Sequence, residues 1–448
     1  MKLNAPIYYS AFSWAKVCQI LIAYSFKTPA DAEVIPMKYR LTAALAGLLG
    51  LLALAACTPP PPAPVASAPP AAPPPVPPAL PFDQAVLKAA NAVLSSAPAP
   101  SATAAPSSNG TARQLVVIDP LVNGVTGEQS AATQAIGMRI GDLAREQYPQ
   151  FDIEPFTPQV LDRSPYVMVG TFTPVNAQNQ TTGDREAFRF CLVMADLRLG
   201  KTVAKGVARA QLGGVDSTPT VFFRDSPVWT DDARVKSYIN TCQATKVGDP
   251  ISPVYLDGIL TASIISEAVD AYTAGHYREA IDLYTDARAT KAGDQLRVFN
   301  GLYIANWKLG REEPAAAAFG DAVDYSLSNN RLGVKFLFRP ESTGLASDAG
   351  GPPYDMWLQQ IATRSAEKHV CLQVIGNTSK SGSPALNDRL SLLRAEYVKN
   401  RLEADEPALH GHLLADGVGS QANLIGTGAD DETDALDRRV EFKVIPAC

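Results

Sequence analysis

"VIGNTSKSGSPALNDRLSLLRAEYVKNRL", residues 374–402, decides how the C-terminal part of the chain folds. Val374 and Ile375 end a strand, Gly376 to Gly382 make a tight polar loop, and Ser383-Pro384 open an amphipathic helix. Asn387, Ser391 and Arg394 give this junction the look of a polar pocket built at a helix start. The loop itself carries no acidic residue, although a ligand-binding loop of this kind calls for one.

Outward from that stretch, residues 333–338 read as a strand, 353–368 as a helix and 369–376 as a strand. The helix 384–402 follows, then strands at 422–428 and 438–445. The order is βαβαββ over residues 331–448. Phe336-Leu337-Phe338, the 376–382 loop, Asn387, "LSLLRA" with Arg394, "GTGADDET" (426–433) and Arg438-Arg439-Val440-Glu441 make this segment resemble the OmpA-like peptidoglycan-binding domain. The resemblance implies a pocket for the diaminopimelate side chain of a peptidoglycan stem peptide, whose end carries an ammonium and a carboxylate. Such a ligand needs an arginine fork for its carboxylate and an acid for its ammonium. By resemblance Arg394 is the carboxylate clamp, Asn387 a supporting hydrogen-bonder and Arg438 the completing arginine, with Thr378 and Ser379 in the loop.

Two acids of the family pattern are missing. The family loop reads Gly-His-Thr-Asp where this chain has Gly376-Asn377-Thr378-Ser379, and Arg339 stands where an acid is expected after the first-strand Phe. Losing a charge-assisted bond to a desolvated ammonium costs about 1.5–3 kcal/mol. Glu341 and Asp388 are the candidate substitutes, and the sequence leaves their directions open. Two functions therefore compete. One is a non-enzymatic link between membrane and peptidoglycan; the other is an envelope-assembly or secretion adaptor whose OmpA-like domain has lost wall binding.

The N-terminal sequence bears on location. "MKYRLTAALAGLLGLLALAAC" (37–57) has a basic head at Lys38 and Arg40, an uncharged apolar run, and small residues leading to Cys57. That order is a secretion signal rather than a spanning helix, and it resembles a bacterial lipobox, which implies lipidation of Cys57. Thr58 follows where Asp would retain a lipoprotein at the inner membrane, so outer-membrane anchoring facing the periplasm is expected by analogy. Residues 58–81 are a Pro-rich tether. Residues 1–36 are expected to be a misassigned extension before a true start at Met37, with a genuine extra anchor as the competing reading.

Residues 82–250 read as an α/β domain: an amphipathic helix at 82–94, then strands such as "YVMVGTFTPV" and a hairpin through Leu199-Gly200-Lys201. Its pattern resembles the periplasmic α/β domains of the envelope lipoproteins that activate penicillin-binding proteins, or of the flagellar FlgO type. Within 251–330, "AYTAGHYREAIDLYTDA" and "NWKLGREEPAAAAFGDA" align at a constant offset, pairing Gly275 with Gly310, Ala280 with Ala315, Tyr284 with Phe319 and Ala287 with Ala322. The pattern resembles the tetratricopeptide repeat. The fold class expected is thus α+β and multidomain.

With Cys18 and Cys57 set aside, Cys191, Cys242, Cys371 and Cys448 remain, and an even remainder in an exported chain suggests two disulfides. Three pairings are open; Cys191 with Cys242 and Cys371 with Cys448 keeps each bond inside one domain. No Cys/His metal spacing is present, and His410 and His412 lack a third ligand nearby in sequence, so no metal or cofactor is expected. Asp119, Asp225, Asp231 and Asp232 are too scattered for a paired acid/base site, and no nucleophile motif or P-loop occurs, so no enzyme is expected. The net charge of −6 argues against a nucleic-acid partner. The partners expected are peptidoglycan, a lipid anchor in the membrane, and an envelope protein.

Overall fold

Alternating and fully apolar runs dictate two sheets, with helices laid on and between them. The computed structural model describes residues 76–98, 113–346, 353–424 and 433–448. The signal segment, Cys57, most of the tether and the first 36 residues lie outside these, as does "GTGADDET" except for its last residue.

The N-terminal module contains α1 (Phe82–Ser96), β1 (Gln114–Ile118), β2 (Val122–Asn123), α2 (Ala131–Gln147), β3 (Phe151–Glu154), α3 (Pro158–Leu161), β4 (Tyr166–Val175), β5 (Ala187–Asp196), β6 (Lys201–Ala210), α4 (Val221–Asp225) and α5 (Ala233–Gln243). The strands lie in the order β3-β1-β4-β5-β6, with β2 beside β4. β1 runs parallel to β3 and β4, while β4, β5 and β6 form an antiparallel meander. One face packs Met168, Phe172, Phe190 and Leu192 under α1 and α2. The other packs Val167, Val169 and Val193 under α5. Burial on both faces explains why β4 reads as an almost unbroken apolar run. Gly206 lets α1 lie directly on β6, because a Cβ there would strike the Ala89 carbonyl. Leu80, at the end of the tether, bonds to both sides of Arg209–Gln211 and so joins the sheet edge.

Four helices follow as two hairpins: α6 (Pro253–Thr273) with α7 (Tyr277–Ala289), and α8 (Leu296–Lys308) with α9 (Glu312–Ser328). The offset seen in the sequence is a structural equivalence. Gly275 and Gly310 both turn between helices in the left-handed region, at φ +81° and +68°. Ala280, Ala315, Tyr284 and Phe319 are all fully buried. Tyr284 lies against Gly301 of α8, where any Cβ would run into its ring.

The last module is β7 (Arg331–Leu337), α10 (Tyr354–Glu367), β8 (Cys371–Gly376), α11 (Pro384–Asp405), β9 (Leu413–Gly417) and β10 (Arg439–Ile445). The βαβαββ order holds, with strands arranged β7-β10-β8-β9. The third strand is not where the sequence suggested. β9 is Leu413–Gly417, running parallel to β8, whereas residues 422–424 are turn and loop. β9 follows a 3-10 turn at Pro407–Leu409, and its apolar content is two leucines, too short a run to stand out.

Residues Pro75–Cys448 form one compact unit, and its modules share cores. Phe319 of α9 stacks on Trp357 of α10 (ring centroids 5.5 Å apart). The Trp357 indole N–H donates to the Tyr303 hydroxyl (2.8 Å). The edge of β7 is covered by residues 227–229: Trp229 N donates to Gly333 O and Lys335 N to Pro227 O, both at 2.8 Å. Lys335 is 4% exposed and bonds Glu128 (2.6 Å) and the Phe223 carbonyl (2.7 Å), beneath the Trp229 ring. Burial raises the Glu128 pKa, against the opposing pull of Lys335.

The four scattered aspartates are stitches between elements rather than an acid/base pair. Asp119 accepts from the Tyr255 hydroxyl (2.9 Å) and Asp225 from the Tyr272 hydroxyl (2.8 Å). Asp231 pairs with Arg331. Asp232 caps α5 and accepts from Leu296 N. The disulfides are Cys191–Cys242 and Cys371–Cys448, the pairing that keeps each bond within one module. The sequence showed no third ligand near the histidine pair. The fold supplies neighbours, bringing His412 within 4.8 Å of the Cys371 and Cys448 sulfurs, which are consumed by their disulfide. No helix among the described residues is long and apolar enough to cross a membrane.

Candidate functional site

The site is built where β8 ends against α11. Gly376 and Gly417 carry no side chain, because a Cβ at either would hit the α11 backbone near Ser391 and Leu392. The helix therefore starts directly above the strand ends. Ser383 caps it, accepting from Leu386 N (3.3 Å), with Pro384 at the first helical position. Gly382, at φ +87°, makes the turn into the cap.

Arg394 is fully buried. Its Nε donates to Ser342 O, its Nη1 to Asn377 O and its Nη2 to Arg339 O, each at 3.0 Å. The guanidinium also lies 5.1 Å from the centre of the Phe338 ring. It is thus a post that fixes two loops, 339–342 and 377, while its side chain lines the cleft between them. Ser391 belongs to the scaffold: its hydroxyl donates to Asp388 O and accepts from Gly419 N (2.8 and 2.9 Å).

The cleft is small, about 30 Å³, and is lined by Thr378, Ser379, Asn387, Arg394, Arg438 and Glu341, among others. The five residues singled out from the sequence are therefore brought together. Arg438 is 5% exposed and donates through Nε to Phe338 O (3.1 Å). The Ser379 hydroxyl lies 3.0 Å from that of Ser381. Thr378 Oγ1 is buried without a hydrogen-bond partner, although its backbone is bonded to Gly419 O and Asn423 Nδ2 (both 2.9 Å). An unpaired buried hydroxyl on a cleft wall is a natural contact for a polar ligand.

The two candidate acids separate. Glu341 lies on the cleft, presented by a residue in the left-handed region at φ +51°. Asp388 is exposed and sits against Gly419. Arg339 does not line this cleft; its exposed side chain lines a larger groove on the other side of its own backbone.

Sequence reasoning missed the neighbours that frame the cleft. Lys380 pairs with Asp184, and Arg185 donates to Asn423 O (3.4 Å), both from the β4–β5 hairpin of the first module. Burial pushes the Arg185 pKa down, opposed by Asp437 and Asp434. The Asp434-Ala-Leu-Asp437 run before Arg438 was a visible signal; the hairpin contact was not.

No protein-family model matches the chain, and no curated protein matches it. Among solved structures, the chain is similar over 25% of its length to 87% of the peptidoglycan-associated lipoprotein from Burkholderia pseudomallei (22% identity, TM-score 0.21). It is similar over 26% of its length to 80% of the cell wall anchor of the T6SS from Pseudomonas aeruginosa (23%, 0.21). It is also similar over 30% of its length to 98% of a putative MotB like protein from Desulfovibrio vulgaris (24%, 0.22).

Proposed function

We propose that the chain is a non-enzymatic anchor that holds peptidoglycan by seating the diaminopimelate end of a stem peptide in the cleft at the start of α11. In this reading Arg438 and the Arg394 guanidinium face the ligand carboxylate, Asn387, Thr378 and Ser379 give hydrogen bonds, and Glu341 takes the ammonium. The observation that carries it is the position of Glu341. The chain lacks the family's acids at Ser379 and Arg339, yet an acid from the following turn reaches the same cleft. Lipidation of Cys57 would fix the other end of the chain to the outer membrane from the periplasmic side, with the helical repeat and first module offered to an envelope protein.

The small cleft favours a second reading, an adaptor that no longer binds the wall, because about 30 Å³ holds only about two waters as it stands. Co-sedimentation of the full chain with purified diaminopimelate-type peptidoglycan separates the two. Binding that free diaminopimelate competes away, and that Glu341→Gln weakens about tenfold, is expected of an exposed charge-assisted bond. No sedimentation of the unaltered chain would establish the adaptor reading. Unchanged binding by Glu341→Gln would remove that residue from the site.

A further inference from the structure

Beyond the cleft, the molecule's roomiest concavity is a groove of about 720 Å³ between the second helical hairpin and the C-terminal module. Volumes of about 300–1,000 Å³ suit small-molecule-sized ligands. Trp307 ends α8 on one wall; Tyr354 and Tyr397, from α10 and α11, stand among the others. Between these rings lie Glu312 and Glu313 at the start of α9, Asp355, Arg339 and Arg401. Asp355 accepts from Arg401 Nη2 (2.6 Å), and Arg401 Nη1 donates to the Tyr397 hydroxyl (3.3 Å).

We propose that this groove is a second subsite for the same polymer, taking the amino-sugar backbone next to the stem peptide. The proposal rests on the reading of the cleft as the stem-peptide seat. Three observations carry it. Ring faces offer apolar platforms with polar tips, and sugar rings have apolar C–H faces edged with hydroxyls. The charges nearly balance, three acids against two arginines, so the groove offers many hydrogen-bonding groups and little net field; that suits a neutral polyhydroxylated ligand better than a charged peptide. Finally, the groove and the cleft share a wall. The Arg339 carbonyl is turned to Arg394 at the cleft (3.0 Å), while the Arg339 side chain lines the groove. Three residues of extended peptide span about 10 Å, roughly the distance needed to cross a single loop.

The test is calorimetric titration of the full chain in detergent with three probes. These are a free diaminopimelate-containing tripeptide, a peptide-free N-acetylglucosamine–N-acetylmuramic acid disaccharide, and the muropeptide that joins the two. The muropeptide is expected to bind about tenfold more tightly than the tripeptide. Arg339→Ala and Trp307→Leu erase that gain and leave tripeptide affinity unchanged; Arg339 is exposed, so its loss spares the fold. Equal affinity for muropeptide and tripeptide overturns the sugar subsite while the stem-peptide reading stands. Tripeptide affinity that falls in both variants overturns it too, placing peptide in the groove. If the disaccharide binds in a variant-sensitive way and the tripeptide does not, the groove stands and the cleft reading falls. Binding of none of the three overturns both.

Discussion

The two helical hairpins use the same residues at the same offset but meet different neighbours. In the first, Tyr284 is closed over by Gly301 of the next hairpin. In the second, the equivalent Phe319 is closed over by Trp357, from a module of unrelated topology. Repeat arrays need each exposed face covered, either by another repeat or by a cap. Here a βαβαββ module supplies the cap. At the opposite end the array meets the first module through the Asp119–Tyr255 bond. One end is thus closed by aromatic packing, while the other includes a buried carboxyl.

The sharpest way to break this comparison is Phe319→Ala. Removing a fully buried aromatic costs about 3–5 kcal/mol, and we expect the helices and the C-terminal module to lose stability together, followed by denaturant unfolding with tryptophan fluorescence and far-UV dichroism. A C-terminal transition that stays at its original midpoint would refute the capping role. Next in size, Gly301→Ala overpacks against the Tyr284 ring at about 1–3 kcal/mol. Combined with Tyr284→Ala, the pair is expected to be less destabilised than the sum of its singles, a coupling that a double-mutant cycle reads directly.

If the hairpins are equivalent, Gly275→Ala and Gly310→Ala should cost the same, about 1–2 kcal/mol each, since both force a side chain into the left-handed region. Unequal melting shifts would show that one turn is held by more than its own conformation. The smallest effect concerns the polar end. Burial pushes the Asp119 pKa up to about 7, with Arg297 and the Tyr255 hydroxyl pulling it down; the nearby Tyr238 is itself held neutral by burial. The folded state keeps the proton longer than the unfolded chain does. This contribution is complete below pH ~4 and is lost as pH rises toward ~7, by about 1 kcal/mol between pH 5.5 and 6.5. Asp119→Asn should flatten that part of the melting profile, whereas a slope unaltered by the substitution would assign it to other groups.

What could be read in the sequence follows from local physics. β4 was legible to the residue because ten apolar positions in a row leave little choice. The hairpins were legible because glycine turns and small-residue contacts repeat at one spacing. β9 was not, since two leucines in a short parallel strand give less signal than the apolar stretch at 422–428. Among the site residues, Thr378, Ser379, Asn387, Arg394 and Arg438 could be named because the β8–loop–α11 junction is continuous in sequence. The direction of Arg339 and the approach of Glu341 depend on a left-handed turn and on three carbonyl bonds to Arg394, none of which has a sequence marker. The Lys335–Glu128 pair joins positions 207 residues apart, and only the folded chain brings them together.

The strip of backbone at 227–229 that lies along β7 has a mechanical meaning. Its two hydrogen bonds to Gly333 and Lys335 cross between strands, so a pull directed along β7 would load them side by side in shear rather than opening them one after another. Together with the Lys335 anchor and the Phe319–Trp357 stack, that seam gives tension at the cleft several parallel routes into the rest of the chain. A fragment cut before Arg331 would lose these routes, and with them the cover over β7 and Trp357.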